Sequence, residues 1–135
     1  MKRPAVGSVI RYAYLWAEEA QGGPREGIKD RPCAVVVADQ DGTILVLPIT
    51  HSAPTGEEKS VELPKLVKRR LGLDEARSWI VTTEYNRFTW PGPDIRPAAN
   101  GEAILGELPS TLLRRAVTAL RENALAGRLK AANRR

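Results

Sequence analysis

The chain has 135 residues, a formal net charge of +5 and a pI of about 9.7, and 42% of its residues are hydrophobic. This length suits one domain over residues 1–135, and the apolar content excludes a disordered chain. A single cysteine excludes a disulfide framework and a thiolate metal site, and the basic balance favours a polyanionic partner. No apolar run has the length of a signal peptide or a membrane span, so we expect a cytoplasmic protein without membrane contact.

The first predicted element is a strand from Val9 to Trp16, which is rich in β-branched and aromatic residues. The segment from Glu18 to Lys29 interrupts this pattern, because its glycines and proline oppose regular structure. Loops of this length between short strands are uncommon unless they bind something. The segment is therefore interpreted either as a lid over a groove or as a plain insertion.

Two apolar runs, Cys33–Ala38 and Ile44–Leu47, are joined by Asp39–Gly42 and predict a β-hairpin. A four-residue loop pairs Ala38 with Thr43. Cys33 then acts as a small buried hydrophobe, which makes a catalytic pair with the single histidine improbable.

The same register, continued to the open end of the hairpin, pairs Arg31 with Thr50. A guanidinium beside a hydroxyl on a rigid hairpin is suited to binding a phosphate. Other polar side chains follow the strands at this end: Lys29, His51 and Ser52.

The second half of the chain is predicted to contain short strands and helices in turn. A polar connection leads to a predicted strand, Ser60–Leu63, and then to a helix from Pro64 to Leu71 that Gly72 ends. Lys65, Lys68, Arg69 and Arg70 make this helix a basic cluster, which is either a site for a polyanion or a solvated face.

A third strand is predicted from Ser78 to Tyr85, continuing towards Trp90, and a last short one at Ala103–Gly106. A terminal helix follows Pro109, capped by Ser110 or Thr111 and ended by Gly127. Its apolar stripe has helical spacing: Leu112, Leu113, Ala116, Val117, Leu120, Ala124 and Leu125. Residues 128–135 form a basic tail that we expect to fray.

These elements predict an α+β fold, either a small β-barrel or a strongly bent antiparallel sheet, with a short helix and a C-terminal helix. There is no βαβ pattern and no glycine-rich phosphate loop. No cofactor and no metal are therefore expected.

Four segments, in order, resemble motifs of the MazF/PemK (Kid) toxins of type II toxin-antitoxin modules: Gly7–Ile10, Asp30–Val37, Leu47–Ser52 and Thr83–Trp90. They are similar to the opening strand of the family, its Arg-Pro-x-x-Val-Val motif, its Pro-x-Thr segment and a later strand that lines the active groove. Ser8 replaces the usual acidic residue, and the insert from Ala53 to Arg77 is larger than in compact members.

The resemblance implies an SH3-like or CcdB-type fold and a metal-independent endoribonuclease that cuts single-stranded RNA. It also implies a homodimer that a cognate antitoxin silences. In that family the arginine and the threonine of the two motifs serve the chemistry, and they correspond here to Arg31 and Thr50. Attack by the 2′-hydroxyl gives cyclic phosphate or 3′-phosphate ends. Two alternatives remain open: a CcdB-like gyrase-inhibiting toxin, and a small-barrel module that binds RNA without cutting it.

Arg31 is expected to stabilise charge on the phosphoryl oxygens, and Thr50 to donate a hydrogen bond to them. Arg31 alternatively ties down a loop through Asp30 or Glu26, and Thr50 is alternatively an ordinary strand residue.

His51 is a candidate for proton transfer, since histidine is the residue type best suited to it near neutral pH, but strand alternation puts it on the face opposite to Thr50 unless the strand has ended. Glu84 is the other candidate, as a general base or as an acceptor for a base edge. Both residues alternatively face solvent without a role.

Several further residues are expected to bind substrate, because they lie in or near the segments that resemble the family: Lys29, Ser52, Asn86, Arg87, Trp16 and Trp90. Trp16 and Trp90 are candidates for stacking on unpaired bases, as is Tyr85. Large aromatic side chains in a small protein are more often part of the core, and we favour that interpretation for Trp79.

Overall fold

The sheet of this protein is open and largely antiparallel. The computed structural model describes residues 2–20 and 30–134. Within them the strands are β1 (Ser8–Tyr12), β2 (Arg31–Ala38), β3 (Thr43–Thr50), β4 (Ser60–Glu62), β5 (Trp79–Val81), β6 (Glu84–Thr89), β7 (Ile104–Glu107) and β8 (Lys130–Asn133). The helices are α1 (Ala17–Ala20), α2 (Lys65–Arg70) and α3 (Ser110–Leu125), with a 3-10 turn at Glu57–Lys59. The predicted α+β class is confirmed, with the open sheet rather than the closed barrel.

Strand β3 is the centre of the sheet, whose main path runs in the order β4-β5-β3-β2-β1-β7. One edge of β3 pairs with β2, while the other edge is shared by two strands. Thr43–Val46 pairs with β6, and Ile49–Thr50 pairs with β5. Strand β8 then adds to β6 in parallel.

The strand predicted from Ser78 towards Trp90 is interrupted at Thr82 and Thr83. The buried amide of Asn123, on α3, donates to the carbonyl oxygen of Thr82 at 2.9 Å and to that of Glu58 at 2.9 Å. These bonds satisfy backbone groups that the sheet leaves unpaired at the break. One predicted strand thus becomes β5 and β6, which follow different registers along β3.

The hairpin turn occupies Asp39–Gly42, as predicted, but the register beside it differs from the prediction. Ala38 pairs with Ile44 rather than with Thr43. A bulge between Val35 and Val37 restores the predicted register further along, so that Cys33 pairs with Pro48. The prediction is wrong at the turn and correct towards the open end.

Apolar side chains pack on both faces of the sheet. On one face lies the aromatic core, which consists of Ile10, Tyr12, Tyr14, Cys33, Val35, Ile44, Val46, Phe88, Ile95 and Ala103. On the other lies the aliphatic core, in which α2 and α3 pack on the sheet through residues such as Val67, Leu112 and Ala116. Alternation along β2 and β3 sends successive side chains to opposite cores.

Helix α3 departs from the prediction at both ends. Its first turn has no side-chain capping bond from Ser110 or Thr111. Near the end of α3 the predicted apolar stripe is wrong, since Leu125 is 90% exposed and the polar Asn123 is buried instead. Lys68 in α2 is also buried rather than part of a solvated basic cluster. No helix among the described residues combines the length and the apolar character needed to cross a membrane.

The tail that was expected to fray forms β8 and ends in a buried ion pair. Arg134 Nη2 lies 2.9 Å from Asp94 Oδ1, with side-chain exposures of 6% and 8%. Arg134 Nη1 donates to the carbonyl oxygen of Ala13 at 3.0 Å and to Asn86 Oδ1 at 3.1 Å. The expected fraying is therefore wrong for residues 130–134, because β6 and Asp94 lie far away in sequence and local pattern does not reveal them.

We predict that Arg134→Ala lowers the free energy of unfolding by about 3–5 kcal/mol, because it leaves the Asp94 carboxylate buried without its partner. Chemical denaturation measures this loss. Arg121→Ala, which removes an exposed arginine from α3, is the matched control and is expected to change stability little. Equal stability of the two variants would contradict the prediction.

Candidate active site

The open end of the β2–β3 hairpin brings Arg31 and Thr50 together. Arg31 begins β2 and Thr50 ends β3, and the register that pairs Cys33 with Pro48 pairs these two residues when it is continued. Both side chains lie on the face of the aromatic core, because they alternate in step with Cys33 and Val46.

Arg31 is half-buried and packs on an indole ring. Its Cζ atom lies 4.9 Å from the centroid of Trp16, at the distance of a cation–π interaction. Its Nε atom is buried and has no hydrogen-bond partner among the residues that the structure describes. Asp30 pairs with Arg11 at 2.9 Å, and Glu26 lies outside the described residues. The buried Nε cannot reach an anion from solvent, but the Nη groups of Arg31 make no hydrogen bond to the described residues and are the donors available for one.

Thr50 is half-buried beside Arg31. Its Oγ1 accepts a hydrogen bond from the backbone N–H of Ser52 at 3.2 Å. This bond orients the side chain and leaves the hydroxyl hydrogen free to donate. Ser52 is exposed at the same end of the hairpin.

Trp16 reaches the site because the chain after β1 is held against β6. The buried side chain of Asn86 accepts from the N–H of Leu15 at 2.9 Å and donates to its carbonyl oxygen at 2.8 Å. Tyr14 then packs edge-on against Trp16, with ring centroids 5.2 Å apart. Strand β1 therefore ends at Tyr12, earlier than the sequence predicted.

Glu84 joins the same group of side chains through Tyr14. The hydroxyl of Tyr14 donates to Glu84 Oε1 at 3.1 Å, and the N–H of Ala17 donates to the same oxygen at 2.8 Å. Desolvation raises the pKa of Glu84 above its ordinary value, although these two bonds and the nearby Lys130 act in the opposite direction. Burial also raises the pKa of Tyr14, which keeps it a neutral donor.

His51 follows the last residue of β3, so strand alternation does not fix its side chain, and it bonds to Asp74 rather than to the group around Arg31. It is exposed, and its Nε2 lies 2.9 Å from Asp74 Oδ2. Asp74 also accepts from Lys68 Nζ at 2.9 Å, and this bond is the main cause that lowers the pKa of Asp74. A groove of about 410 Å³ runs past these residues and reaches Arg31.

The remaining predicted residues are not at this end of the hairpin. Asn86 is buried with its amide engaged by Leu15. Arg87 pairs with Leu45 near the turn, and the N–H of Trp90 donates to Gly42 in the turn itself. Lys29 and most of the predicted lid lie outside the described residues. In residues 2–20 and 30–134, no three His, Cys, Asp or Glu side chains converge to hold a metal ion.

Comparison with known proteins finds similarity at the level of the fold. No protein-family model matches the sequence, and no curated protein matches it. One similar solved structure is an endoribonuclease in complex with its cognate antitoxin, from a mycobacterial species. It shares 15% sequence identity with this chain, covers 90% of this chain and 94% of its own, and superposes with a TM-score of 0.59. The two chains have the same fold.

We predict that the Cys33 thiol is unreactive in the folded protein. Cys33 is fully buried, and this burial raises the pKa of its thiol, with Arg31 acting weakly in the other direction. An alkylating reagent at mildly alkaline pH is expected to label it only after denaturation. Rapid labelling of the native protein would contradict this placement.

Proposed function

We propose that this protein is an endoribonuclease toxin of a toxin-antitoxin module that cleaves single-stranded RNA. The observation that carries the proposal is the register of the hairpin, in which Cys33 pairs with Pro48 and whose continuation sets Arg31 opposite Thr50, with the guanidinium of Arg31 over the Trp16 ring. The shared fold with an endoribonuclease that binds a cognate antitoxin supports it. The motifs that carry the family resemblance contain these same two residues.

RNA supplies its own nucleophile, so the protein has three tasks. The 2′-hydroxyl loses its proton and attacks the phosphorus, charge builds on the phosphoryl oxygens, and the 5′-oxygen leaves with a proton. Arg31 and Thr50 donate hydrogen bonds to the phosphoryl oxygens, and their interaction strengthens as charge develops. The new 2′-O–P bond replaces the bond to the 5′-oxygen, which takes its proton from water, and the product is a 2′,3′-cyclic phosphate that a second water can open to a 3′-phosphate. This chemistry requires no metal.

Glu84 is the base in this proposal. A carboxyl group whose pKa is raised towards neutrality accepts a proton more effectively than an ordinary one. Glu84 Oε1 is held by Tyr14 and Ala17, which leaves Oε2 for the 2′-hydroxyl. His51 is paired with Asp74 and has no role in this scheme.

The proposal extends to partners and location. A cognate antitoxin protein binds the toxin and silences it, and the toxin acts as a homodimer on mRNA in the cytoplasm. Light scattering of the purified protein tests the dimer. Co-purification with the protein encoded beside it tests the antitoxin.

We predict that Arg31→Ala lowers RNA cleavage by roughly 100- to 1,000-fold, because the charge on the phosphoryl oxygens loses its main stabilisation. The measurement is cleavage of a long unstructured RNA in excess chelator, with mapping of the ends. Arg31→Lys keeps the charge but not the planar fork and is expected to recover only part of the rate.

Arg121→Ala is the control for loss of an exposed arginine and is expected to cut normally. Full activity of a folded Arg31→Ala variant would remove Arg31 from the mechanism. Failure of the folded wild type to cut, with RNA binding retained, would favour a binding module. If the folded wild type neither cuts nor binds RNA but inhibits gyrase, the result would favour a gyrase-directed toxin.

We predict that kcat/KM rises with pH through the raised pKa of Glu84. Below this pKa the carboxyl is protonated and cannot accept the proton of the 2′-hydroxyl; above it the base is available. In Glu84→Gln this rise disappears and the rate falls by roughly 100- to 10,000-fold. A pH–rate profile measures both effects. An unchanged profile in the variant would assign the rise to another group.

A further inference from the structure

Arg31 and Thr50, at the open end of the hairpin, begin a row of side chains that continues into the neighbouring strands. Thr50 pairs with Trp79 of β5, and Trp79 pairs with Glu62 of β4. Directly paired residues project from the same face of a sheet. Arg31, Thr50, Trp79 and Glu62 therefore form one row across four adjacent strands, on the face opposite to the aliphatic core.

Trp79 was interpreted as a core residue from the sequence, but it belongs to neither core. It is half-buried, whereas its neighbours Ile80 and Val81 are buried. The guanidinium of Arg77 lies above its ring, with Cζ 5.0 Å from the centroid. This is the second arginine–tryptophan pair of the site, after Arg31 and Trp16.

Arg77 is held in place by Glu62 while remaining open to solvent. Its Nε and Nη2 atoms each donate to the Glu62 carboxylate at 2.8 Å. Its side chain is 68% exposed, and its Nη1 has no partner among the described residues. The guanidinium of Arg77 is thus held over the Trp79 ring, and its Nη1 group remains available as a donor.

A groove of about 630 Å³ borders this pair. Trp79, Arg77 and Glu62 form one wall, and Pro54, Ser60 and Arg115 contribute to the remainder. The groove combines an aromatic ring, two arginines and two glutamates, Glu57 and Glu62, of which Glu62 is engaged by Arg77. This composition suits an unpaired base with its phosphate, because bases stack on aromatic rings and guanidinium planes.

We propose that Trp79 and Arg77 form a binding subsite for the nucleotide next to the cleaved phosphate. The base stacks on the Trp79–Arg77 pair, and Arg77 Nη1 and Arg115 face its phosphate. The inference rests on the proposed function, since it takes the cleaved phosphate to lie between Arg31 and Thr50. Adjacent strands lie about 4.8 Å apart, so the backbone of Trp79 is roughly 5 Å from that of Thr50. A nucleotide that adjoins the cleaved phosphate can span this distance.

The test measures binding separately from cleavage. The probe is a short, single-stranded 2′-O-methyl oligoribonucleotide of mixed sequence, which the protein cannot cut by 2′-hydroxyl attack. Trp79→Leu is expected to weaken binding by roughly 5- to 150-fold, the usual loss for one stacked base. Trp79→Phe keeps an aromatic ring and is expected to retain most of the affinity. Thermal unfolding of each variant confirms that it is folded.

Arg77→Gln supplies a second variant, at an exposed position whose charged group covers Trp79 and bonds to Glu62. It is expected to weaken binding and to lower the slope of log affinity against log salt by about 0.7, the loss of one phosphate contact on a single strand. Arg121→Gln removes the same charge from the exposed side of α3 and is expected to leave the slope unchanged.

The outcomes separate this inference from the proposed activity. Normal binding by Trp79→Leu and Arg77→Gln, with cleavage intact in the wild type, would overturn the subsite and leave the activity standing. A different result is that the wild type binds the probe without cutting RNA, while Trp79→Leu and Arg77→Gln bind it more weakly. This result would support the subsite and overturn the endoribonuclease. No binding of RNA by the wild type would overturn both.

Discussion

The two hydrogen bonds between the Asn86 side chain and the backbone of Leu15 are the constraint on which the candidate site depends. They are fully buried, and a primary amide that matches one donor and one acceptor of a residue fixes that residue in position and orientation. The adjoining Tyr14 and Trp16 are thereby held against Glu84 and Arg31. A residue without any contact to the proposed substrate thus arranges both ends of the chemistry.

Arg31 and Glu84 make no ion pair with each other among the described residues, and each is held by different neighbours. Arg31 rests on an indole ring rather than on a carboxylate, so its charge remains directed outwards for an anion. Glu84 is half-buried where it accepts bonds from Tyr14 and Ala17, and this burial raises its pKa and favours its neutral form. A direct ion pair between Arg31 and Glu84 would neutralise the charge of Arg31 and lower the pKa of Glu84.

The sequence predicted those features that depend on local pattern. The hairpin turn, α2 with its terminal glycine and the register that pairs Cys33 with Pro48 follow from turn chemistry and from periodicity. Features that depend on distant partners were missed. Asn86 was assigned to substrate although its partner is Leu15, and residues 130–134 were expected to fray although Asp94 anchors them. Trp79 was assigned to the core because composition does not reveal on which face of a short strand a residue lies.

Strand β8 has a consequence for biosynthesis. Arg134 donates to Ala13 and to Asn86, and so it completes the network that holds the start of the chain in place. During translation these contacts do not exist until residue 134 has left the ribosomal exit tunnel. A nascent chain that already contains Arg31, Thr50 and Glu84 therefore lacks the support that arranges them. The group of side chains around Arg31 is thus fully supported only after β8 has joined β6.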